Sequence, residues 1–137
     1  MHDSKHGTDR KMVLSTIWIF YFFNIIYADI LSLMSGFASP AEPTELVETL
    51  ISPEMLLVAA IFLQTGMVMI VLSRVLKHGI NRWANIIIAT LQTLGLLASL
   101  FVGTPTMYYI FFVIFEVSAL LFIIWYAWTW ARPVANE

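Results

Sequence analysis

Cysteine is absent from the 137 residues. That rules out disulfides, thiolate metal ligands and thiol redox chemistry, and leaves the compartment open. Charge is scarce: 12% of the residues are Asp, Glu, Lys or Arg, against about 25% in soluble domains. The three histidines (His2, His6 and His78) all lie outside the long apolar runs, which excludes an intramembrane bis-histidine haem. No basic face suited to nucleic acid is present, and the net charge is −2. The acidic stretch near residue 45 lacks the alternating Asp/Asn and central glycine of a calcium loop. Neither a metal nor a cofactor is expected.

What fills the chain instead is apolar, at 60% hydrophobic residues. A chain this short cannot bury that much in a water-soluble core, so lipid must cover much of it. The pattern predicts an all-α fold, a polytopic membrane protein forming one domain over 1–137. It is read as a four-transmembrane-helix antiparallel bundle with spans at about 13–37, 55–72, 83–102 and 107–130.

Residues 1–12 read as a frayed polar tail, and His2 and His6 as part of it. Lys5, Arg10 and Lys11 then precede the first run, as in a secretory signal. That run is about twice the usual h-region and contains Asp29, so it reads as a retained helix. The loop 38–54 holds three prolines and four glutamates. Within it, 44–51 suits a short amphipathic helix with a cap at Thr44 and Glu45 in its first turn. Pro53 and Glu54 suit the start of the second span. The link 73–83 is basic, with Gly79 expected to stop the preceding helix. Residues 103–106 form a tight turn that makes the third and fourth helices antiparallel neighbours.

Basic residues set the orientation. Three precede the first span, three lie between the second and third, and Arg132 follows the fourth. By the positive-inside rule both termini are cytoplasmic and the acidic loop faces outward, in a bacterial inner membrane. Trp83, Trp125, Tyr126, Trp128 and Trp130 form an inner aromatic belt, and Tyr108 and Tyr109 an outer one.

The first span carries a carboxylate in hydrocarbon, Asp29, with Asn24 and Tyr27 close by. Such a group costs about 2.5 to 3.5 kcal/mol on insertion scales and normally faces protein or water. At about 1.5 Å per residue, Asp29 lies roughly 10 Å below the outer end, Gln64 roughly 13 Å, Gln92 roughly 15 Å and Glu116 roughly 13 Å. Each span thus offers one strongly polar side chain in a shared layer. No Lys or Arg lies at that depth, so at least one of the two acids is expected to hold a proton near neutral pH.

Helix spacing adds two small-residue series: Ala28, Ser32 and Gly36 on the first span, and Gly95, Ser99 and Gly103 on the third. Small residues let helix backbones approach in lipid, so these two spans are expected to pack closely, with Asp29 near Gln92. The same series serve internal packing or homo-oligomerisation equally well. Tyr109, Phe112 and Glu116 share a face of the fourth span and suggest an aromatic wall leading to the acid.

The string YADILSLM (27–34), followed by an acidic loop and three more spans, resembles an uncharacterised family of small bacterial four-helix membrane proteins. More distantly, the layout is similar to DoxX-like proteins and to the sterol-isomerase and sigma-2 receptor group. That resemblance implies membrane-embedded acids lining a pocket for lipophilic, often cationic molecules, with Asp29 and Glu116 as the positions matching by type.

The leading expectation is a membrane protein binding a small lipophilic or cationic molecule in an outward-facing polar pocket. Asp29 and Glu116 would supply charge or a proton, Gln64 and Gln92 hydrogen bonds, and Tyr109 and Phe112 apolar or cation–π contact. Two other readings stand beside it. One is an enzyme using the paired carboxylates for proton transfer on a lipid-soluble substrate. The other is an assembly protein whose polar layer fixes helix packing, since buried Gln and Asn can serve as glue alone.

Overall fold

The computed structural model describes residues 2–38, 45–102 and 104–130. Every element in them is helical: α1 (His2–Ala38), α2 (Glu45–Leu50), α3 (Pro53–Val75), α4 (His78–Ser99) and α5 (Met107–Trp128). Lipid enforces this choice, because a helix satisfies its backbone groups within one segment. Among the described residues, three helices are long and apolar enough to cross a membrane: α1 from Thr8, α3 and α5. The fourth long helix, α4, carries Asn81, Arg82, Asn85 and Gln92.

The four long helices form a ring in which α1 packs on α3 and α5, and α4 packs on the same two. Neighbours alternate in direction. Ser15 near the start of α1 meets Ile70 near the end of α3, and Ser99 at the end of α4 meets Tyr109 at the start of α5. The close α1–α4 packing expected from the small-residue series is therefore not the arrangement. These two helices stand across the ring and meet through side chains. Gly36 has nothing within 4 Å of where a Cβ would sit, while Gly95 admits the Phe62 ring of α3. The close approach thus goes to α3.

Helix limits also differ from the sequence reading. The helix does not wait for Val13; α1 runs from His2, and Arg10 ties this extension to the end of α5. The Arg10 guanidinium donates to the Tyr126 carbonyl at 3.2 Å and lies 4.7 Å from the Tyr126 ring centroid. Gly79 does not stop a helix. The chain turns instead at Leu76 and Lys77, both extended, and Gly79 sits in the first turn of α4. Ser73, placed in the link by its polarity, is a fully buried residue of α3. At the other end of α3, Ser52 caps the helix by accepting from the Met55 amide, and Pro53 follows at the first position.

Thr44, Gly103, Arg132 and the side chains of His2 and His6 lie outside the described residues.

Candidate functional site: an acidic cavity between the helices

Polar side chains occupy the centre of the ring at two levels. The level nearer the basic ends of the helices is closed. Asn85 Oδ1 accepts from Trp18 Nε1 at 2.7 Å and from Ser73 Oγ at 3.2 Å, and its Nδ2 donates to Asn81 Oδ1 and to the Asn81 carbonyl. Asn81 Nδ2 in turn donates to the Ser73 carbonyl at 2.6 Å. A primary amide offers two donors and two acceptor lone pairs, and Asn85 uses all four inside the protein. Nothing is left for a ligand. This cluster joins α1, α3 and α4 as internal cement.

The second level, towards the α4–α5 turn, is open. A cavity of about 220 Å³ is lined by Tyr21, Ala28, Asp29, Gln92, Gly95, Ser99, Tyr109 and Glu116, together with apolar groups of α1, α3 and α4. Glu116 is 3% exposed and belongs to its buried wall. Asp29 is exposed and stands at its rim. Among the described residues, neither carboxyl has a hydrogen-bond donor, and no Lys, Arg or His lines the cavity.

Gln92 is committed on most sides. Its Oε1 accepts from the Tyr21 hydroxyl at 3.1 Å, and its Nε2 donates to the Phe62 carbonyl at 2.8 Å. The same Nε2 reaches Thr65 Oγ1 at 3.4 Å. Gly66 makes this possible. A Cβ there would lie 2.8 Å from Phe22 Cζ and 3.1 Å from Gln92 Nε2.

A separate space shares two of its walls with this cavity. Ser99 and Tyr109, whose hydroxyls are 2.8 Å apart, also line a space of about 360 Å³ beneath the turn, with Ser32, Tyr108 and Thr106. Tyr108 donates to Ser32 Oγ at 3.3 Å across its side.

A family model described as a family of unknown function, DUF6326, matches residues 1–136. The chain belongs to the DUF6326 family. No curated protein and no solved structure matches it. Nothing in these comparisons connects this DUF6326 chain to the DoxX-like or sterol-isomerase and sigma-2 receptor proteins.

Of the residues singled out from sequence, the DUF6326 cavity brings together Asp29, Glu116, Gln92 and Tyr109, with Ala28, Gly95 and Ser99 in its walls. It does not include Asn24, Tyr27, Gln64 or Phe112. Asn24 donates to the Phe20 carbonyl of its own helix, and Tyr27 is 57% exposed on the outer surface. Gln64 faces outward among Ile61, Val68 and Ile87. Ser32 lines the space beneath the turn, and Gly36 is exposed.

Sequence reasoning missed Tyr21 and the Trp18–Asn85–Asn81 cluster. One signal was available: Asn81, Asn85 and Gln92 are spaced i, i+4, i+11, a polar stripe on one face of α4. In a membrane such a stripe belongs inside.

Proposed function

We propose that this protein is a multi-pass inner-membrane protein that binds a small lipophilic cation in the Asp29–Glu116 cavity. In this reading α1, α3, α4 and α5 all span the bilayer, both termini are cytoplasmic, and the cavity opens outward. The positive-inside rule supports the orientation, since Arg10, Arg74, Lys77 and Arg82 gather at one end of the ring. α4 spans as an inside-out helix, its Asn and Gln turned to the protein and Ile80, Ile87, Leu91 and Leu94 outward.

One observation carries the proposal. Two carboxyl groups line a single cavity that contains no basic side chain and supplies neither acid with a hydrogen-bond donor. Uncompensated acids in a low-dielectric site are costly unless something positive comes to them. An ammonium group meeting Glu116, with Tyr109 and Phe62 against its apolar part, would answer that need. At about 220 Å³ the space falls below the 300–1,000 Å³ typical of drug-sized ligands, so the ligand is small. The space beneath the turn shares the Ser99–Tyr109 pair with the cavity, and in this reading opening that hydrogen bond would admit the ligand.

The test is native mass spectrometry of gently solubilised protein, with benzyltrimethylammonium as the added probe. Wild type should carry an endogenous adduct or take up the probe, and folded Asp29→Asn and Glu116→Gln should do neither. An absence of adducts in every sample, with the variants unfolding or changing oligomeric mass, refutes the ligand site. The polar layer then serves helix packing.

A further inference from the structure

Gln64 sits near the middle of α3 with its amide turned away from the protein. Four polar side chains on the outer faces of the long helices return their hydrogen bond to their own backbone. Thr16 donates to Met12, Asn24 to Phe20, Thr90 to Ile86 and Ser118 to Ile114, each to the carbonyl four residues back. Among the described residues, Gln64 has no partner at all. An amide left unsatisfied in hydrocarbon is expensive, and its natural complement is a group that both donates and accepts. Another Gln64 is such a group.

The neighbours of Gln64 are spaced for this meeting. Leu57, Ile61, Gln64, Val68, Val71 and Val75 follow one another at intervals of 4, 3, 4, 3 and 4 residues, and all six are exposed. That is a heptad seam with Ile61, Val68 and Val75 at a positions and Leu57, Gln64 and Val71 at d. β-Branched residues at a favour two strands, and a single polar residue in the seam fixes register. An apolar stripe alone would say nothing here, because lipid covers such faces equally well. The unsatisfied amide in its middle is what asks for protein.

Topology supplies the alignment. The gathering of Arg10, Arg74, Lys77 and Arg82 at one end orients each copy alike, so two α3 helices from two copies run parallel with Gln64 at one depth. We infer that the chain forms a homodimer through the outer face of α3, with the two Gln64 amides hydrogen-bonded across the two-fold axis. The interface uses residues that the acidic cavity does not, so it stands or falls apart from the ligand reading.

The chain has no cysteine, so wild type is already the background for disulfide mapping. Single cysteines are placed in the full-length protein at Ile61→Cys and Val68→Cys on α3. Controls are Leu94→Cys on α4 and Ile114→Cys on α5, both exposed and outward. Copper-phenanthroline oxidation in native membranes should give a covalent dimer at 61 and 68 and little at 94 and 114, since a disulfide needs Cα atoms within about 7 Å. Gln64→Leu should raise the dimer dissociation constant in detergent about tenfold, and Gln64→Asn by less. No dimer at 61 and 68, or equal yields at the control positions, overturns the interface. Dimerisation of Gln64→Leu at wild-type strength overturns the role of the amide. Because all these positions face outward, the variants leave the interior packing intact.

Discussion

The hydroxyl of Tyr21 donates to Gln92 Oε1 at 3.1 Å, joining α1 to α4 across the middle of the helix ring. Both residues line the acidic cavity, and the closed Asn85 cluster lies about two turns along α4 from Gln92. The pair divides a level that only holds helices from a level that has room for something else.

Gln92→Leu should lower stability by about 2 kcal/mol. The Tyr21 hydroxyl would lose its acceptor, while the Phe62 carbonyl keeps the Thr65 hydroxyl; an unsatisfied buried group costs about 1 to 3 kcal/mol, less in membranes, where the unfolded reference also finds partners. Reversible unfolding in mixed SDS micelles measures it.

Asn85→Ala should be at least as damaging, because it strips three groups, Trp18 Nε1, Ser73 Oγ and Asn81 Oδ1. A double-mutant cycle with Trp18→Phe should show a coupling of about 1 kcal/mol. Additive losses would show that the 2.7 Å bond contributes nothing.

Glycine substitutions should separate sharply by position. Gly66→Ala pushes a methyl into Phe22 and Gln92 and should cost about 1 to 3 kcal/mol. Gly36→Ala and Gly79→Ala meet nothing within 4 Å and should be neutral or stabilising by up to about 1 kcal/mol. Midpoint temperatures in detergent compare the three.

Glu116→Gln should keep or raise thermal stability while abolishing uptake of the cationic probe. The carboxyl is buried without a partner among the described residues, so its removal forfeits no hydrogen bond and relieves a desolvated charge. A protein that loses stability on this change depends on Glu116 for folding, against the proposed site.

Arg10→Ala should loosen the extension of α1 beyond the apolar run. It removes the donor to the Tyr126 carbonyl and the cation over its ring, together about 1 kcal/mol at such a half-buried place. Hydrogen exchange should quicken for the amides of residues 2–9 and stay unchanged within α5.

Asp29, Glu116 and Gln92 were legible as a layer because helix rise converts sequence position into depth with little error. Gly79 misled because glycine is a common helix stop, whereas here the extended backbone of Leu76 and Lys77 makes the turn. Ser73 and Asn81 were assigned to a link on polarity. Their hydrogen bonds to Asn85 and to each other's helix let them sit buried within α3 and α4.

Composition and hydropathy by themselves determined an all-helical protein with apolar helices long enough for a bilayer. Lipid leaves the backbone no other partner, and a run of apolar residues sets its own length. Only the tertiary structure decided which polar groups meet. Gln64 and Gln92 are the same side chain at nearly the same depth, yet one faces outward and the other is fully buried. The difference is rotation about a helix axis. In water an apolar stripe reveals that rotation. In α3 every face is apolar, because lipid and protein interior are alike to a leucine, and only packing against α1 and α4 turns Gly66 inward and Gln64 out.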